Sequence, residues 1–238
     1  MSLKIRKVAM PRSQYAVKCP YEMTPTRIVI HNTAGKASAA NEIAYMQSNA
    51  NQVSFHFAVD EEEAVLGSPL NRNCWHSGDG ATGKGNREGI AIEICRSATG
   101  GELFARAEEN GAELAAILLH ERGWGIDRVT KHQDYSGKYC PHRTLDLGWN
   151  RFLGMVQGKL DALETTSSAQ VDGNVPHEWA KEAFDWSISA GVLKGSNAEH
   201  PDYRLNDGVT REEMIVFLRR AVVWILGTLG LWKGGDRS

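Results

Sequence analysis

Short apolar runs separated by charged or glycine-rich turns characterise the first two thirds of the chain. The run at 27–31 (RIVIH) is apolar up to its histidine, which is typical of a strand buried on both faces. Residues 53–60 (VSFHFAVD) alternate as a strand does, and residues 63–70 follow a charged turn as its hairpin partner. A fourth run at 89–95 (GIAIEIC) contains a single charge, Glu93. The pattern therefore predicts four strands.

Helical periodicity marks three segments between and after these strands. Residues 38–49 have apolar side chains at helical spacing, and the spacing also predicts helices over 104–122 and 148–163. Residues 71–87, by contrast, are rich in glycine and asparagine. We therefore expect a long loop there, of the kind that walls a binding site.

A second region follows a change in composition. Residues 165–176 (TTSSAQVDGNVP) have the composition of a linker, and helical patterns follow at 177–191 and 209–226. The expected organisation is a first domain over 1–164, the linker, and a small helical domain over 177–238.

Charge and cysteine content narrow the class of protein. The formal net charge is −2, with +2 on residues 1–160 and −4 on residues 161–238, so we expect no nucleic-acid partner. Four scattered cysteines are too few for a disulfide framework and favour a reducing cytoplasm. The first 15 residues lack an apolar core of signal-peptide length, and the apolar stretch 221–232 is too short to span a bilayer. We therefore expect cytoplasmic synthesis without a signal peptide, and no transmembrane segment.

The chemistry of the chain concentrates in the stretch HQDYSGKYCPH, which begins at His132. It places Lys138 and Cys140 six and eight residues after that histidine, and His31 ends an apolar strand far upstream. Two imidazoles and one thiolate leave a zinc ion an open fourth position, as catalytic zinc requires. His142, two residues past the thiol, is an alternative ligand.

Four stretches in order resemble the zinc-dependent N-acetylmuramoyl-L-alanine amidases of the type-2 amidase family, which is related to the peptidoglycan-recognition proteins. They are KCPYEMTPTRIVIHNT (18–33), VSFHFAVD (53–60), GNREGIAIEIC (85–95) and HQDYSGKYCPHR (132–143). The resemblance covers residues 15–160. It implies an amidase that cuts between N-acetylmuramic acid and the L-alanine of the peptidoglycan stem peptide.

The resemblance assigns a role to each candidate residue. It implies one zinc ion per chain, held by His31, His132 and Cys140. Glu93 is implied as the catalytic carboxylate, which takes a proton from water and passes it to the leaving amine. Lys138 is implied as the cation that stabilises the oxyanion.

Three further residues are candidate substrate contacts. Phe55 stands where some relatives have a tyrosine, so no phenol is available and Glu93 carries the proton transfer. His76 in the long loop is a candidate for contact with substrate or with metal-bound water. Asn86 is a candidate hydrogen-bonding partner of the peptide, although asparagine in a glycine-rich loop commonly serves the turn.

The region from Pro176 onward (PHEWAKEAFDWSISAGVL and VTREEMIVF) resembles a single S-layer-homology repeat. Such repeats bind anionic secondary cell-wall polymers, which we expect here as a partner. The segment 205–208 lacks the proline of the family's F-x-P motif, and this half of the chain is acidic. A packing or homodimerising module is therefore the alternative, supported by the apolar tail at 224–232.

Together these observations predict an α/β fold with a central mixed sheet flanked by helices, plus a small all-α C-terminal domain. The expected function is peptidoglycan hydrolysis at the bacterial cell wall, by a phage or prophage endolysin released through a holin, with a mother-cell lytic enzyme of the bacterium as the other possibility. Two alternatives stay open: a non-catalytic peptidoglycan-binding protein, and a zinc peptidase that cuts within the stem peptide.

Overall fold

The computed structural model of the chain describes residues 3–169, residues 181–189 and residue 222. The chain divides into two compact units, Met1–Thr165 and Thr166–Ser238. The first unit contains every described strand and all of the site residues predicted from the sequence.

A mixed sheet of six strands forms the centre of the first unit. In chain order the strands are β1 (Lys4–Lys7), β2 (Arg27–Asn32), β3 (Phe57–Val59), β4 (Glu63–Leu66), β5 (Gly89–Ile94) and β6 (Val129–Lys131). Their order across the sheet is β1-β4-β3-β5-β2-β6. The β3–β4 hairpin is antiparallel and the other neighbouring pairs are parallel. The predicted mixed sheet and the predicted hairpin are confirmed.

Helices cover both faces of this sheet, as predicted. The described helices are α1 (Tyr15–Lys18), α2 (Ala39–Ser48), α3 (Lys84–Glu88), α4 (Gly101–His120), α5 (Gln133–Ser136), α6 (His142–Leu147), α7 (Trp149–Ala169) and α8 (Lys181–Ser189). Apolar residues of α4 and α7 pack on one face, and those of α2 pack on the other. The helices expected over 38–49, 104–122 and 148–163 are present as α2, α4 and α7.

The alternation of side chains along β2 and β5 decides which residues reach the site. On β5, Ile92 packs under α4 and α7, whereas Ala91 packs under α2. Successive side chains of a strand point to opposite faces, so Glu93 points to the α2 face. On β2, Ile30 belongs to the α4 and α7 layer, which sends His31 to the same face as Glu93.

Several short elements differ from the predicted pattern. The strand expected over 53–60 is confined to β3. At its start the chain bonds to a loop instead: the Ser54 N–H donates to the Trp75 carbonyl at 3.0 Å, and Ser54 Oγ accepts the Trp75 N–H at 2.8 Å. The loop expected over 71–87 contains α3, in which the N–H groups of Gly85 and Asn86 donate to the Asp79 carboxylate. The edge strands β1 and β6 have four and three residues, too few to leave a hydrophobic pattern.

Helix α7 runs on through residue 169, into the segment expected to begin the linker at 165. Helix α8 falls inside the helical pattern expected over 177–191. Of the pattern at 209–226, residue 222 is described and helical, and the rest lies outside the described residues. The domain limits and the all-α C-terminal domain stay predictions. None of the described helices has the length and apolar character needed to cross a membrane.

Candidate metal centre and catalytic cleft

Two neighbouring strands place His31 and Glu93 side by side. Strands β2 and β5 run parallel, with His31 opposite Glu93 in the register. His31 Nδ1 lies 4.0 Å from Glu93 Oε1 on the α2 face of the sheet. The ends of two buried strands therefore present an imidazole and a carboxyl group to one small volume.

His132 and Cys140 complete a donor cluster with His31. His132 directly follows β6, the strand beside β2, and its Nδ1 lies 3.1 Å from His31 Nδ1. Cys140 Sγ lies 3.8 Å from His31 Nδ1, and the three donor atoms all lie within 4.8 Å of one another. Tetrahedral zinc requires donor separations of about 3.3–3.6 Å, given its usual bond lengths. The separations of 3.1 Å and 3.8 Å lie on either side of this range, so small movements of the side chains would let the cluster hold zinc.

This cluster stands alone within residues 3–169, 181–189 and 222. No other group of three His, Cys, Asp or Glu side chains in those ranges brings its donor atoms close enough to hold a metal. His142, the alternative ligand at the start of α6, is not part of the cluster.

Asn32 holds the Cys140 loop against the end of β2. Its Oδ1 accepts hydrogen bonds from the backbone N–H groups of Arg143 at 3.0 Å and Thr144 at 3.2 Å, in the first turn of α6. The N–H of Gln133 donates to the Cys140 carbonyl at 3.0 Å, which closes the loop between the two C-terminal ligands. These bonds bring ligands that are distant in sequence to one point.

Burial keeps both imidazoles of the cluster neutral, which is the form that can bind a metal. Burial and the neighbouring His76 hold the pKa of His31 well below its ordinary range. Burial, with the Lys138 charge, lowers the pKa of His132 to about 4. Both rings are therefore neutral at pH 7, as ligation requires.

The Cys140 thiol is protonated when no metal is bound. Burial and the nearby Glu93 raise its pKa to about 11, against the opposing effects of the Asn32 backbone and of Lys138. Only the thiolate ligates zinc. Metal binding at neutral pH therefore releases a proton from this residue.

Glu93 is a carboxyl group with spare hydrogen-bonding capacity. Its side chain is 15 % exposed, and its Oε2 has no hydrogen-bond partner. Burial and the neighbouring Glu42 carboxyl raise its pKa to about 8, and Lys138 acts in the opposite direction. A carboxyl group with such a pKa exchanges protons near neutral pH, which suits a general base that later acts as an acid.

Lys138 is exposed and provides positive charge to the whole site. Burial is the main cause of the pKa shifts of the three ligands and Glu93, and the Lys138 charge acts on all four. In each case the charge favours the deprotonated form. A cation with this reach also favours negative charge that develops on a substrate oxygen.

His76 contacts a ligand of the cluster. It is buried, and its Nδ1 lies 3.0 Å from His31 Nε2 and 2.8 Å from Ser77 Oγ. In the tautomer that can bind a metal through Nδ1, His31 carries its proton on Nε2 and donates it to His76 Nδ1. Such a partner fixes the orientation of a ligating imidazole. A contact of His76 with substrate stays a prediction.

Asn86 fastens the loop that carries His76. Its Oδ1 accepts the N–H groups of His76 and Ser77, both at 2.8 Å, and its Nδ2 donates to the Gly80 carbonyl at 3.1 Å. The amide is therefore engaged within the loop, and a substrate contact by Asn86 stays a prediction.

A cleft of about 190 Å³ opens beside Glu93. Its lining residues are Thr33, Glu42, Tyr45, Met46, Asn49, Asn51, Val53, Phe55 and Glu93. The lining combines apolar, amide, hydroxyl and carboxyl side chains, so it offers both apolar contacts and hydrogen bonds to a peptide. Phe55 lines the cleft and is otherwise buried in the core on the α2 face, and its substrate contact stays a prediction.

Sequence reasoning missed two residues of this site. Asn32 directly follows the ligand His31, and that adjacency was the available signal for its role. Glu42 lies on α2 in a polar stretch, and nothing in the pattern indicated that it faces Glu93 across the cleft.

An α/β domain with two imidazoles and a thiol beside a carboxyl group has the architecture of a metal-dependent hydrolase. The profile of the N-acetylmuramoyl-L-alanine amidase family (Amidase_2) matches residues 21–143, more than half of the chain. The chain belongs to this family.

Curated relatives and solved structures agree with this assignment. The chain is 48 % identical to the N-acetylmuramoyl-L-alanine amidase XlyB of Bacillus subtilis over 202 residues, 84 % of this chain and 61 % of XlyB. It is 44 % identical to the amidase CwlA of the same species over 82 % of this chain and 73 % of CwlA. The structure of PlyL matches 65 % of this chain and 97 % of PlyL, with 46 % identity and a TM-score of 0.63. The catalytic domain of XlyA matches 65 % of this chain with 39 % identity and a TM-score of 0.59.

Proposed function

We propose that this chain is a zinc-dependent peptidoglycan hydrolase that cleaves the amide between N-acetylmuramic acid and the L-alanine of the stem peptide. The observation that carries the proposal is the cluster of His31, His132 and Cys140 beside the unpartnered Oε2 of Glu93. The chain belongs to the amidase family, and its relatives are named as N-acetylmuramoyl-L-alanine amidases, which supports this amide as the bond that is cleaved.

The donor set supports zinc as the cofactor, with one ion per chain. Two neutral imidazoles and one thiol whose proton is displaced are typical of a catalytic site that keeps a fourth position open. Zinc held there polarises a carbonyl group and lowers the pKa of a bound water toward about 7. His76 fixes the His31 ring, and Asn32 fixes the loop of Cys140.

Glu93 and Lys138 account for the remaining chemistry. Glu93 takes the proton of the attacking water at Oε2 and passes it to the nitrogen of L-alanine. The new carbon–oxygen bond forms first, and the carbon–nitrogen bond breaks once the nitrogen has received the proton, so the products are a lactyl carboxylate and a free amine. Lys138 stabilises the negative charge that the carbonyl oxygen gains before the bond breaks.

Two alternatives make different products. A non-catalytic peptidoglycan-binding protein releases nothing, although such relatives lose the thiol ligand that this chain retains at Cys140. A zinc peptidase that cuts within the stem peptide releases new termini at later residues. The cleft is compatible with either amide, so the products must decide.

Mass analysis of purified cell walls digested by the full chain separates the three functions. We expect lactyl carboxylates on muramic acid and L-alanine amino termini, with Glu93→Gln protein as the inactive control. New termini within the stem peptide indicate the peptidase, and an unchanged wall indicates a binding protein.

The C-terminal region is proposed to anchor the enzyme on an anionic secondary cell-wall polymer. The support is the resemblance of 176–222 to an S-layer-homology repeat, and homodimerisation through the tail at 224–232 is the alternative. Action at the cell wall as a phage or prophage endolysin, released through a holin, completes the proposal. Retention of the full chain, but not of residues 1–169, on purified walls that carry the polymer is the test.

A further inference from the structure

Lys18 is a fully buried lysine whose ammonium group has only neutral partners among the described residues. Its exposed fraction is 0 %, and burial lowers its pKa. Nζ donates to Asn49 Oδ1 at 2.9 Å, to the Val53 carbonyl at 3.1 Å and to the Asn51 carbonyl. An ammonium has three N–H donors, so every donor is used. A buried charge is costly unless it is bonded in this way, so these three contacts are specific.

The three acceptors belong to one wall of the cleft beside Glu93. Asn49, Asn51 and Val53 all line it, in the segment that connects α2 to β3. Within that segment, Asn49 Oδ1 also accepts the N–H of Asn51 at 2.9 Å. The segment is therefore wrapped around the Lys18 ammonium and has little regular structure of its own.

The backbone of Lys18 is connected through Ser54 to the loop that carries His76. Its carbonyl accepts the Ser54 hydroxyl at 2.5 Å, and Ser54 Oγ accepts the N–H of Trp75 at 2.8 Å. Trp75 precedes His76, the partner of the ligand His31. Lys18 is thus bonded directly to the cleft wall and, through Ser54, to the loop that carries His76.

We propose that Lys18 is a positioning residue that sets the affinity of the cleft for substrate by fixing the wall at 49–53. The inference rests on the proposed amidase function, because the cleft is a substrate site only if Glu93 is catalytic. Lys18 itself makes no hydrogen bond to Glu93 or to the donor cluster. Its removal therefore disturbs substrate binding more than bond cleavage.

The test compares Lys18→Met with the wild-type full chain on a soluble muropeptide. Methionine keeps an unbranched stem and leaves three acceptors without donors, so the wall relaxes. We expect KM to rise about tenfold while kcat stays within about twofold, the pattern of a lost binding contribution equal in ground and transition states. The zinc content should stay at one ion per chain.

Glu108→Gln is the matched control. Glu108 is 1 % exposed and pairs with Arg151 on the α4 and α7 side of the sheet, away from the cleft. This variant disturbs a buried charge without touching the wall, so we expect a lower unfolding midpoint and an unchanged KM. An equal rise of KM in both variants means that general destabilisation is the cause, and it overturns the inference.

Lys18→Arg keeps the test decisive if Lys18→Met does not fold. Three hydrogen bonds converge on the single ammonium nitrogen of Lys18, and the planar guanidinium of arginine does not reproduce this geometry. KM should therefore rise for Lys18→Arg as well, by a smaller factor. If the variant that folds has the wild-type KM, the inference about Lys18 is overturned and the proposed function is not affected. A wild-type chain that cleaves no muropeptide contradicts the proposed function instead, and the inference falls with it.

Discussion

Among single residues, Cys140 carries the sharpest prediction, because its thiol must give up a proton to serve as the proposed zinc ligand. Cys140→Ser replaces it with a hydroxyl, a poor zinc ligand, and leaves two imidazoles. Loss of a residue that only orients a ligand costs about 10–100-fold in metal affinity. Loss of a ligand itself should cost more, so we expect zinc affinity to fall by a larger factor than that. Metal analysis after dialysis against a weak chelator measures this. His142→Ala is the control and should retain zinc; the reverse result makes His142 the third ligand.

Glu93 is assigned to proton transfer and not to metal binding. Glu93→Gln keeps the shape of the side chain and removes its basicity. Turnover of soluble muropeptide should fall by about 10²–10⁴-fold, the range for loss of a general base. The zinc content should not change. Turnover close to the wild-type value contradicts the assignment and moves the proton transfer to another group, with His76 the next candidate.

The raised pKa of Glu93 also makes a prediction for the metal-free protein. Its pKa is about 8 in the folded chain and 4.5 when unperturbed, so its favourable contribution is complete below 4.5 and is lost as pH rises through about 8. The histidines of the cluster titrate below pH 7, and the four buried thiols, whose pKa is raised from 9.0, add a smaller loss in the same direction toward pH 8.5. The free energy of unfolding should therefore decrease between pH 7 and 8.5.

Urea unfolding of the chelated protein at those two pH values measures this loss. The matched variant is Glu93→Gln, which has no carboxyl group to titrate and should show a much smaller change. A wild-type stability that is flat or rises over this window means that Glu93 is already ionised in the folded protein.

At the scale of elements, the short helix α3 must approach the loop of His76 closely. A Cβ atom at Gly85 would lie 2.5 Å from Ser77 Cβ and 2.8 Å from Tyr135 Cγ. Gly85→Ala should therefore displace Ser77, which contacts His76, and lower the free energy of unfolding by about 1–3 kcal/mol. Denaturant unfolding and metal analysis should show reduced stability and weaker zinc binding.

Gly154→Ala is the control for that substitution. Gly154 lies inside α7, and a Cβ atom there meets nothing within 4 Å. Alanine favours helix over glycine by up to about 1 kcal/mol, so stability should rise or stay constant. If both alanine variants behave alike, the close approach of α3 to Ser77 is not a constraint.

The elements that the sequence predicts best are those with a strong apolar pattern of their own. Buried runs such as 27–31 and 89–95 and the long periodic segment 104–122 identify β2, β5 and α4. The register that sets His31 opposite Glu93 does not follow from either run, because it depends on pairing across the sheet. The same holds for the long-range contacts of Asn32 and Lys18. Asn32 accepts the N–H of Arg143, 111 residues further along the chain, and Lys18 donates to Asn49, 31 residues further along.

At the scale of the whole molecule, the chemistry and the C-terminal region are expected to be separable. All proposed catalytic and ligand residues precede residue 165. The match with the solved structure of PlyL takes in 97 % of that structure and 65 % of this chain. A protein ending after residue 169, which keeps α7 complete, should bind zinc and cleave soluble muropeptides normally. It should lose activity on intact cells, because an anchor raises the local concentration of enzyme.

Comparison of cell lysis, muropeptide cleavage and sedimentation for the two lengths separates the roles of the C-terminal region. Equal losses on cells and on muropeptides show that the region supports the catalytic fold. Unchanged activities together with loss of a dimer make it an assembly module, which contradicts the anchoring role.

The central claim is that one zinc ion in the cluster of His31, His132 and Cys140 enables cleavage at L-alanine. Its most direct test is a zinc titration of chelated full-length protein, with release of L-alanine amino termini from purified walls measured at each step. We expect no release without metal, a linear rise, and saturation at one zinc per chain. Release that persists in the fully chelated protein, or amino termini other than L-alanine, would contradict it.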